Sequence, residues 1–121
     1  MRAPETIRQR RDFLAANQGR RVPSAGFVLL VRQRDDGDPR MRAGYTVTKK
    51  IGNSVTRNRL KRRLREIVAL TLPAHGHAGA DHVLIGRDAG LTRDFALLRA
   101  DLEKALAKAH LPPKPKETER R

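Results

Sequence analysis

The 121-residue chain contains no cysteine and no tryptophan, and only three phenylalanines and one tyrosine. The absence of cysteine excludes a disulfide scaffold and any cysteine-ligated zinc site. No apolar run approaches the ~18 residues that a membrane span needs, and the N-terminal segment lacks the apolar stretch of a secretory signal. The length suits one domain with a modest core, and the cytoplasm is the expected compartment.

Acidic residues are also scarce, since 13 Asp and Glu stand against 27 Lys and Arg and the formal net charge is +14. The excess is concentrated in residues 39–66, where ten basic side chains accompany one acid, Glu66. A surface that serves only solubility mixes the two signs. The pattern therefore indicates a binding surface for a polyanion, either nucleic acid or, as the weaker alternative, an anionic membrane surface.

Periodicity and turn residues predict the element order α-β-β-α-β-α. The predicted helices cover residues 6–18 with Thr6 as the cap, 55–72 with Pro73 as the stop, and 92–109 with Thr92 as the cap. The predicted strands cover residues 25–34, 42–50 and 82–87. The turn sequence DDGDP at 35–39 should join the first two strands as a hairpin.

This order indicates an α+β fold of the sandwich-like kind, with helices against a small, mostly antiparallel sheet. Residues 1–110 are expected to form a single RNA-binding domain. Residues 111–121 are polar and rich in proline, and we expect them to form a disordered tail.

The central helix combines an apolar stripe with a basic surface. Its apolar residues recur at i, i+4, i+7 and i+8: Leu60, Leu64, Ile67 and Val68. Arg57, Lys61 and Arg65 stack one turn apart beside that stripe. Like charges stacked in this way repel one another, and arginine suits bidentate contacts to phosphate. A solvated helix without a partner is the plain alternative, which the absence of any acid from Pro39 to Arg65 disfavours.

Residues 49–66 read KKIGNSVTRNRLKRRLRE. The Arg57-Asn58-Arg59 box, with KKIGN before it and Lys61, Arg62 and Arg65 after it, closely resembles the protein subunits of bacterial ribonuclease P. The resemblance extends from about Thr6 to Ala109. It implies a ribonucleoprotein that removes the 5′ leader of precursor tRNA, with the chemistry carried by an RNA subunit and its bound Mg²⁺. It also implies a left-handed β-α-β crossover, an exception to the usual right-handed rule.

The same resemblance implies two sets of binding residues. Those expected to bind RNA are Lys49, Lys50, Arg57, Asn58, Arg59, Lys61, Arg62, Arg63 and Arg65. Those expected to line a cleft for the single-stranded leader are Phe13, Asn17, Val28, Leu30, Thr46 and Thr48. Family members often carry aromatic residues where Asn17 and Leu30 stand, so Phe13 is the residue left to stack on a base. Tyr45 falls on the opposite strand face from Thr46 and is expected in the core.

Protein-side catalysis has no candidate residues, because the sequence offers no Ser/His/Asp order, no phosphate loop and no paired carboxylates. His75 and His77 lie in a loop with no carboxylate before Asp81, which disfavours a metal site. We therefore expect no catalytic residue, no cofactor or metal bound by the protein alone, and no obligate protein partner. The partners expected are the catalytic RNA subunit and precursor tRNA.

Two other function classes are compatible with the composition. A structural RNA-binding module such as a ribosomal protein, with no role in cleavage, needs the same basic surface, and only the KKIGN and Arg-Asn-Arg spacing argues against it. Binding to membrane surfaces would require bulky apolar residues opposite the basic face of an isolated helix. Strands on both sides of the central helix can instead bury its apolar stripe.

Overall fold

The computed structural model describes residues 4–110, which form five strands and three α-helices. The strands are β1 (Glu5–Thr6), β2 (Arg20–Pro23), β3 (Phe27–Gln33), β4 (Arg42–Thr46) and β5 (Ala80–Gly86). The helices are α1 (Arg10–Ala16), α2 (Ser54–His75) and α3 (Phe95–His110). The predicted disordered tail, residues 111–121, lies outside the described residues. Across the described range, no helix is long and apolar enough to span a membrane.

The five strands form one sheet in the order β1-β4-β5-β3-β2. The β1–β4 and β4–β5 pairs are parallel, whereas β2–β3 and β3–β5 are antiparallel. The α+β class is confirmed, but the sheet is mixed, so the mostly antiparallel arrangement is not. The structure also contains β1 and β2, which were not predicted because they are too short to show an alternating pattern.

The predicted hairpin between residues 25–34 and 42–50 is wrong, because β5 lies between β3 and β4 in the sheet. Strand β5 is apolar and buried over most of its length. A strand of this kind is stabilised by neighbours on both edges and helices on its faces. Helix α2 supplies the long connection that parallel pairing of β4 with β5 requires. The left-handed sense of this β4-α2-β5 unit stays a prediction.

Two helix caps differ from those predicted. Thr6 lies in β1, and the first helix begins only after Gln9. The last helix is capped by Asp94 rather than Thr92, because the Asp94 carboxylate accepts hydrogen bonds from the backbone N–H groups of Ala96 and Leu97 at 3.1 and 3.3 Å. A carboxylate at this position also interacts favourably with the positive end of the helix dipole.

Pro73 does not end α2, which continues to His75. A proline in the last turn lacks one backbone N–H donor, so the helix loses only one hydrogen bond, the one to the carbonyl four residues earlier. The preceding Leu72 is completely buried, and its carbonyl accepts a hydrogen bond from Gly76 N–H at 2.8 Å. Burial of that leucine, worth about 1.5–3 kcal/mol, holds the last turn in place.

The core lies in two layers, one on each face of the sheet. The predicted stripe of α2 is confirmed, since its four apolar residues are at most 1% exposed and pack against β3, β5 and α3. The other layer lies under α1 and includes Val28 and Leu30. The side chains of β3 therefore alternate between the two layers, with Phe27 and Leu29 facing α2 and α3.

Candidate RNA interface

The KKIGN segment builds the start of α2. Lys49–Ile51 form one 3-10 turn, and Gly52 follows at φ 153°, in the region that favours glycine. Asn53 is the N-cap, and its side-chain oxygen accepts the backbone N–H of Thr56 at 2.9 Å. Arg57 Nε donates to the Gly52 carbonyl at 3.2 Å. The motif thus fixes the point at which the helix, and with it the Arg-Asn-Arg box, leaves the sheet.

Helix α2 presents its basic residues away from the core because Leu60 and Leu64 are fully buried on the inner side. The exposed members of the predicted RNA-binding set are Lys49, Lys50, Asn58, Arg59, Arg62 and Arg65. The half-buried members are Arg57, Lys61 and Arg63. Arg63 stands apart from the others, because its guanidinium donates to the Arg93 carbonyl just before α3.

The positive charge of α2 is not neutralised within the described part of the chain. Arginines elsewhere, such as Arg34, Arg40 and Arg93, form ion pairs with neighbouring carboxylates. None of the basic residues Arg57, Arg59, Lys61, Arg62 and Arg65 has such a partner among residues 4–110. A row of uncompensated arginines is the electrostatic footprint of a nucleic-acid-binding surface.

A groove of about 400 Å³ lies beside this helix, along the edge of β4. It is lined by Arg8, Arg10, Phe13, Tyr45, Thr46, Val47 and Lys61. The lining thus combines aromatic and aliphatic surface with three cations and contains no carboxylate. Cationic walls that track a backbone, together with an aromatic ring for a base, are the features that bind single-stranded nucleic acid.

Gly44 allows Phe13 to lie close to the strand. A Cβ atom at position 44 would lie 2.7 Å from Phe13 Cε1, closer than two carbon atoms can pack. Helix α1 is also fixed over the sheet through Asp12, which lies 3.5 Å from the Arg42 guanidinium. The ring of Phe13 is consequently placed at the groove by backbone geometry and by an ion pair.

The structure brings two of the predicted cleft residues, Phe13 and Thr46, to this groove. Thr48 is exposed after the end of β4, and Asn17 is exposed at the C-cap of α1. Val28 and Leu30, at 7% and 2% exposure, belong to the core layer under α1 and do not line the groove. Their role as leader contacts stays a prediction.

Sequence reasoning missed four residues of the groove: Arg8, Arg10, Tyr45 and Val47. The two arginines were placed within a helix predicted to begin at residue 6, whereas Arg8 lies in the link between β1 and α1. Tyr45 was expected in the core, and its ring does pack against the core layer of α2 and α3. It is nevertheless half-buried and reaches the groove. Burial raises the pKa of Tyr45 to about 12 against the opposing effect of Arg65, so the phenol stays neutral.

Potential metal ligands are not gathered at the interface. Among the described residues, no group of three or more His, Asp or Glu side chains could hold a metal ion. His77 is buried, and its Nε2 lies 3.0 Å from the Leu106 carbonyl, so that nitrogen donates a hydrogen bond. His75, by contrast, is exposed.

Comparison with known proteins assigns this architecture to a family. The family profile of ribonuclease P matches residues 1–110. A ribonuclease P protein component from Erythrobacter litoralis is 54% identical over 106 residues, covering 88% of this chain and 86% of the relative. One from Gluconacetobacter diazotrophicus is 51% identical over 104 residues, covering 85% and 89%.

Solved structures agree with the sequence relatives. The ribonuclease P protein from Thermotoga maritima superposes with a TM-score of 0.73 at 33% identity, covering 86% of this chain and 96% of that one. The Staphylococcus aureus protein gives a TM-score of 0.72 at 28% identity, covering 87% and 94%. With its Arg-Asn-Arg helix, its mixed sheet and these relatives, the chain belongs to the ribonuclease P protein family.

Proposed function

We propose that this chain is the protein component of a bacterial ribonuclease P and works in the cytoplasm. It binds the catalytic RNA subunit and the 5′ leader of precursor tRNA, and it assists removal of the leader to give the mature 5′ end. The observation that carries the proposal is the uncompensated basic surface of α2 next to a cationic groove with an aromatic wall. The alternative of a structural RNA-binding module such as a ribosomal protein is not favoured, since the named relatives are ribonuclease P protein components.

The two surfaces suit two kinds of RNA contact. The exposed residues Asn58, Arg59 and Arg62 project outward from α2 and can meet the phosphates of a folded RNA without entering a cavity. The groove places Phe13 between cations from α1 and α2. An RNA that stacks on this ring must offer an unpaired base. We therefore assign the outer surface of α2 to the RNA subunit and the groove to the leader.

The cleavage chemistry in this proposal belongs to the RNA subunit and to Mg²⁺ held mainly by RNA. The described residues fit this division, because the side chains that line the groove are cationic or neutral and include no carboxylate, the group by which proteins usually hold Mg²⁺. The protein contributes by lowering the free energy of the bound precursor. A cationic surface of this kind also reduces the repulsion between two polyanions, the RNA subunit and its substrate.

The test is reconstitution of the full chain with a bacterial ribonuclease P RNA. Affinities for precursor and mature tRNA are measured with and without the protein, and leader removal is followed in Mg²⁺. We expect the protein to increase the affinity for precursor more than that for mature tRNA, and we expect the protein without RNA to cleave neither. Equal gains on both substrates would contradict leader binding, and cleavage by the protein alone would contradict an RNA-borne reaction.

A further inference from the structure

Arg65 differs from the other basic residues of α2 in how it is held. Its guanidinium carbon lies 5.7 Å from the centre of the Tyr45 ring, the one cation–π contact found among the described residues. The side chain is exposed and forms no hydrogen bond or ion pair with a described residue. The donors of the guanidinium are therefore available to a ligand, while its carbon lies within cation–π range of the ring.

The ring itself is held firmly. Tyr45 stands opposite Leu84 in the parallel β4–β5 ladder and packs against the core layer of α2 and α3. An arginine side chain loses rotamer entropy when a ligand immobilises it, and this loss opposes binding. Contact with a fixed aromatic surface restricts Arg65 before any ligand arrives.

The pair stands beside the groove. Tyr45 and Lys61 both line the groove, and the exposed Arg65 follows Lys61 by one helical turn on the same side of α2. A strand whose base lies in the groove would carry its next phosphate past this point. A guanidinium held over the ring keeps its N–H groups free, and these can bind phosphate oxygens in bidentate fashion.

We propose that Tyr45 is a positioning residue that holds Arg65 for a phosphate of the single-stranded leader. The inference rests on the proposed function and adds to it a residue outside the predicted cleft set. Tyr45 acts through Arg65, because the guanidinium lies over its ring and the ring is anchored against the core layer of α2 and α3.

The experiment is a double-mutant cycle in the reconstituted holoenzyme, read as affinity for precursor and for mature tRNA. Tyr45→Leu is expected to weaken precursor binding about 2- to 5-fold, the range that a cation–π contact supports, and to leave mature tRNA binding unchanged. Tyr45→Phe keeps the ring and should restore the wild-type affinity. In an Arg65→Gln background, Tyr45→Leu should have no further effect.

Arg62→Gln provides the matched control, since Arg62 is an exposed arginine of the same helix without a ring contact. In that background, Tyr45→Leu should cause its full loss. Equal losses in the Arg65→Gln and Arg62→Gln backgrounds would overturn the proposal, and so would equal losses on precursor and mature tRNA. Failure of Tyr45→Phe to restore binding would also overturn it.

A measurement on the unmutated protein covers the case in which Tyr45→Leu does not fold. The δ-methylene protons of Arg65 should resonate upfield because of the Tyr45 ring current, and ordinary shifts there would overturn the proposal. Failure of the proposed function gives a different result, namely a wild-type protein that does not favour precursor over mature tRNA. If the wild type shows that preference and the Tyr45 variants retain it in full, only the positioning role is refuted.

Discussion

Arg42 and Asp81 stand opposite each other in the parallel β4–β5 ladder, and two hydrogen bonds of 2.7 Å join the guanidinium to the carboxylate. Asp81 is completely buried and also accepts a bond of 3.0 Å from Arg34. Burial alone would raise the pKa of Asp81, but the hydrogen bonds from the two arginines outweigh it and hold the pKa below its usual value. The cluster fixes β4, whose far end forms part of the groove, to the centre of the sheet.

Replacing Asp81 by Asn should destabilise the protein by about 3–5 kcal/mol, because two arginines then lose the carboxylate that compensates them. The measurement is the free energy of unfolding in urea. Asp36→Asn is the control, since Asp36 also pairs with Arg34 but its side chain is 50% exposed. An exposed pair contributes far less than a buried one, because solvent screens it. Equal losses of unfolding free energy for the two variants would show that the buried cluster contributes no more to stability than the exposed pair.

Acid should destabilise the fold through His82. Burial lowers the pKa of His82 to about 4, and its neutral ring donates to the Arg42 carbonyl through Nδ1 and accepts the His77 N–H at Nε2. The unfolded state, with a histidine pKa near the ordinary value of about 6.5, binds a proton first. Stability is therefore complete above about pH 6.5 and declines as the pH falls toward about 4, by at most about 1.4 kcal/mol per pH unit.

The measurement for this second prediction is the unfolding free energy at pH values from 7.5 to 4. His82→Asn should flatten the curve in that window, since an amide can replace the Nδ1 donor without titrating. His75→Asn is the matched control, because His75 is exposed and should leave the curve unchanged. A wild-type curve that is flat above pH 4.5 would refute the assignment to His82.

The two sides of α2 have different roles: the buried side contributes to stability, and the exposed side is expected to bind RNA. Leu64 is completely buried, and Leu64→Ala should cost about 2–5 kcal/mol of stability. Arg62→Ala, on the exposed side, should leave the melting temperature nearly unchanged and weaken RNA binding. The two measurements are thermal unfolding and affinity for the RNA subunit. Equal falls in melting temperature for both variants would mean that the orientation of the helix is wrong.

RNA binding should depend strongly on salt. If about five of the basic residues of positions 49–65 contact phosphates, the logarithm of the affinity should fall against the logarithm of salt with a slope of roughly −3.5 to −4.5. The measurement is RNA affinity over a salt series. A slope near zero would show that the basic surface of α2 does not bind RNA.

The elements predicted well from sequence are those with many periodic residues. Helix α2 and strand β3 each bury a long, regular apolar set, and local spacing is enough to place them. Local spacing does not predict the pairing of β4 with β5, because the partner strand lies beyond a 22-residue helix and no local signal selects it over β3. Only the family resemblance implied a β-α-β unit around this helix. Edge strands of two and four residues leave no period to detect.

Tyr45 shows the same limit at the site. The alternation of β4 placed its side chain on the correct face of the sheet, toward α2. The exposure of the Tyr45 ring depends on the neighbouring edge strand β1, which ends at Thr6, opposite Ala43. Beyond that residue β4 has no strand on this edge, while β5 still pairs with its other edge. The groove therefore arises from the length of a short edge strand, a property that the β4 sequence does not contain.

Phe13 should carry the base stacking of the groove, because Leu30 is 2% exposed under α1 and Asn17 lies outside the groove lining. A base stacked on an aromatic ring is worth about 1–3 kcal/mol by substitution. Phe13→Leu, which keeps apolar packing beside Gly44 but removes the ring, should weaken precursor tRNA binding by that amount and leave mature tRNA binding unchanged.

The measurement for Phe13 is the affinity of the reconstituted holoenzyme for both substrates, side by side. Leu30→Tyr is the informative comparison, since an added ring at a buried site overpacks the core and should destabilise the protein by about 1–3 kcal/mol without strengthening precursor binding. If Leu30→Tyr instead strengthened binding of the precursor, α1 would have to move aside and the cleft would extend across β3. Equal losses on precursor and mature tRNA for Phe13→Leu would refute the stacking role, because only the precursor carries the single strand that the ring is placed to meet.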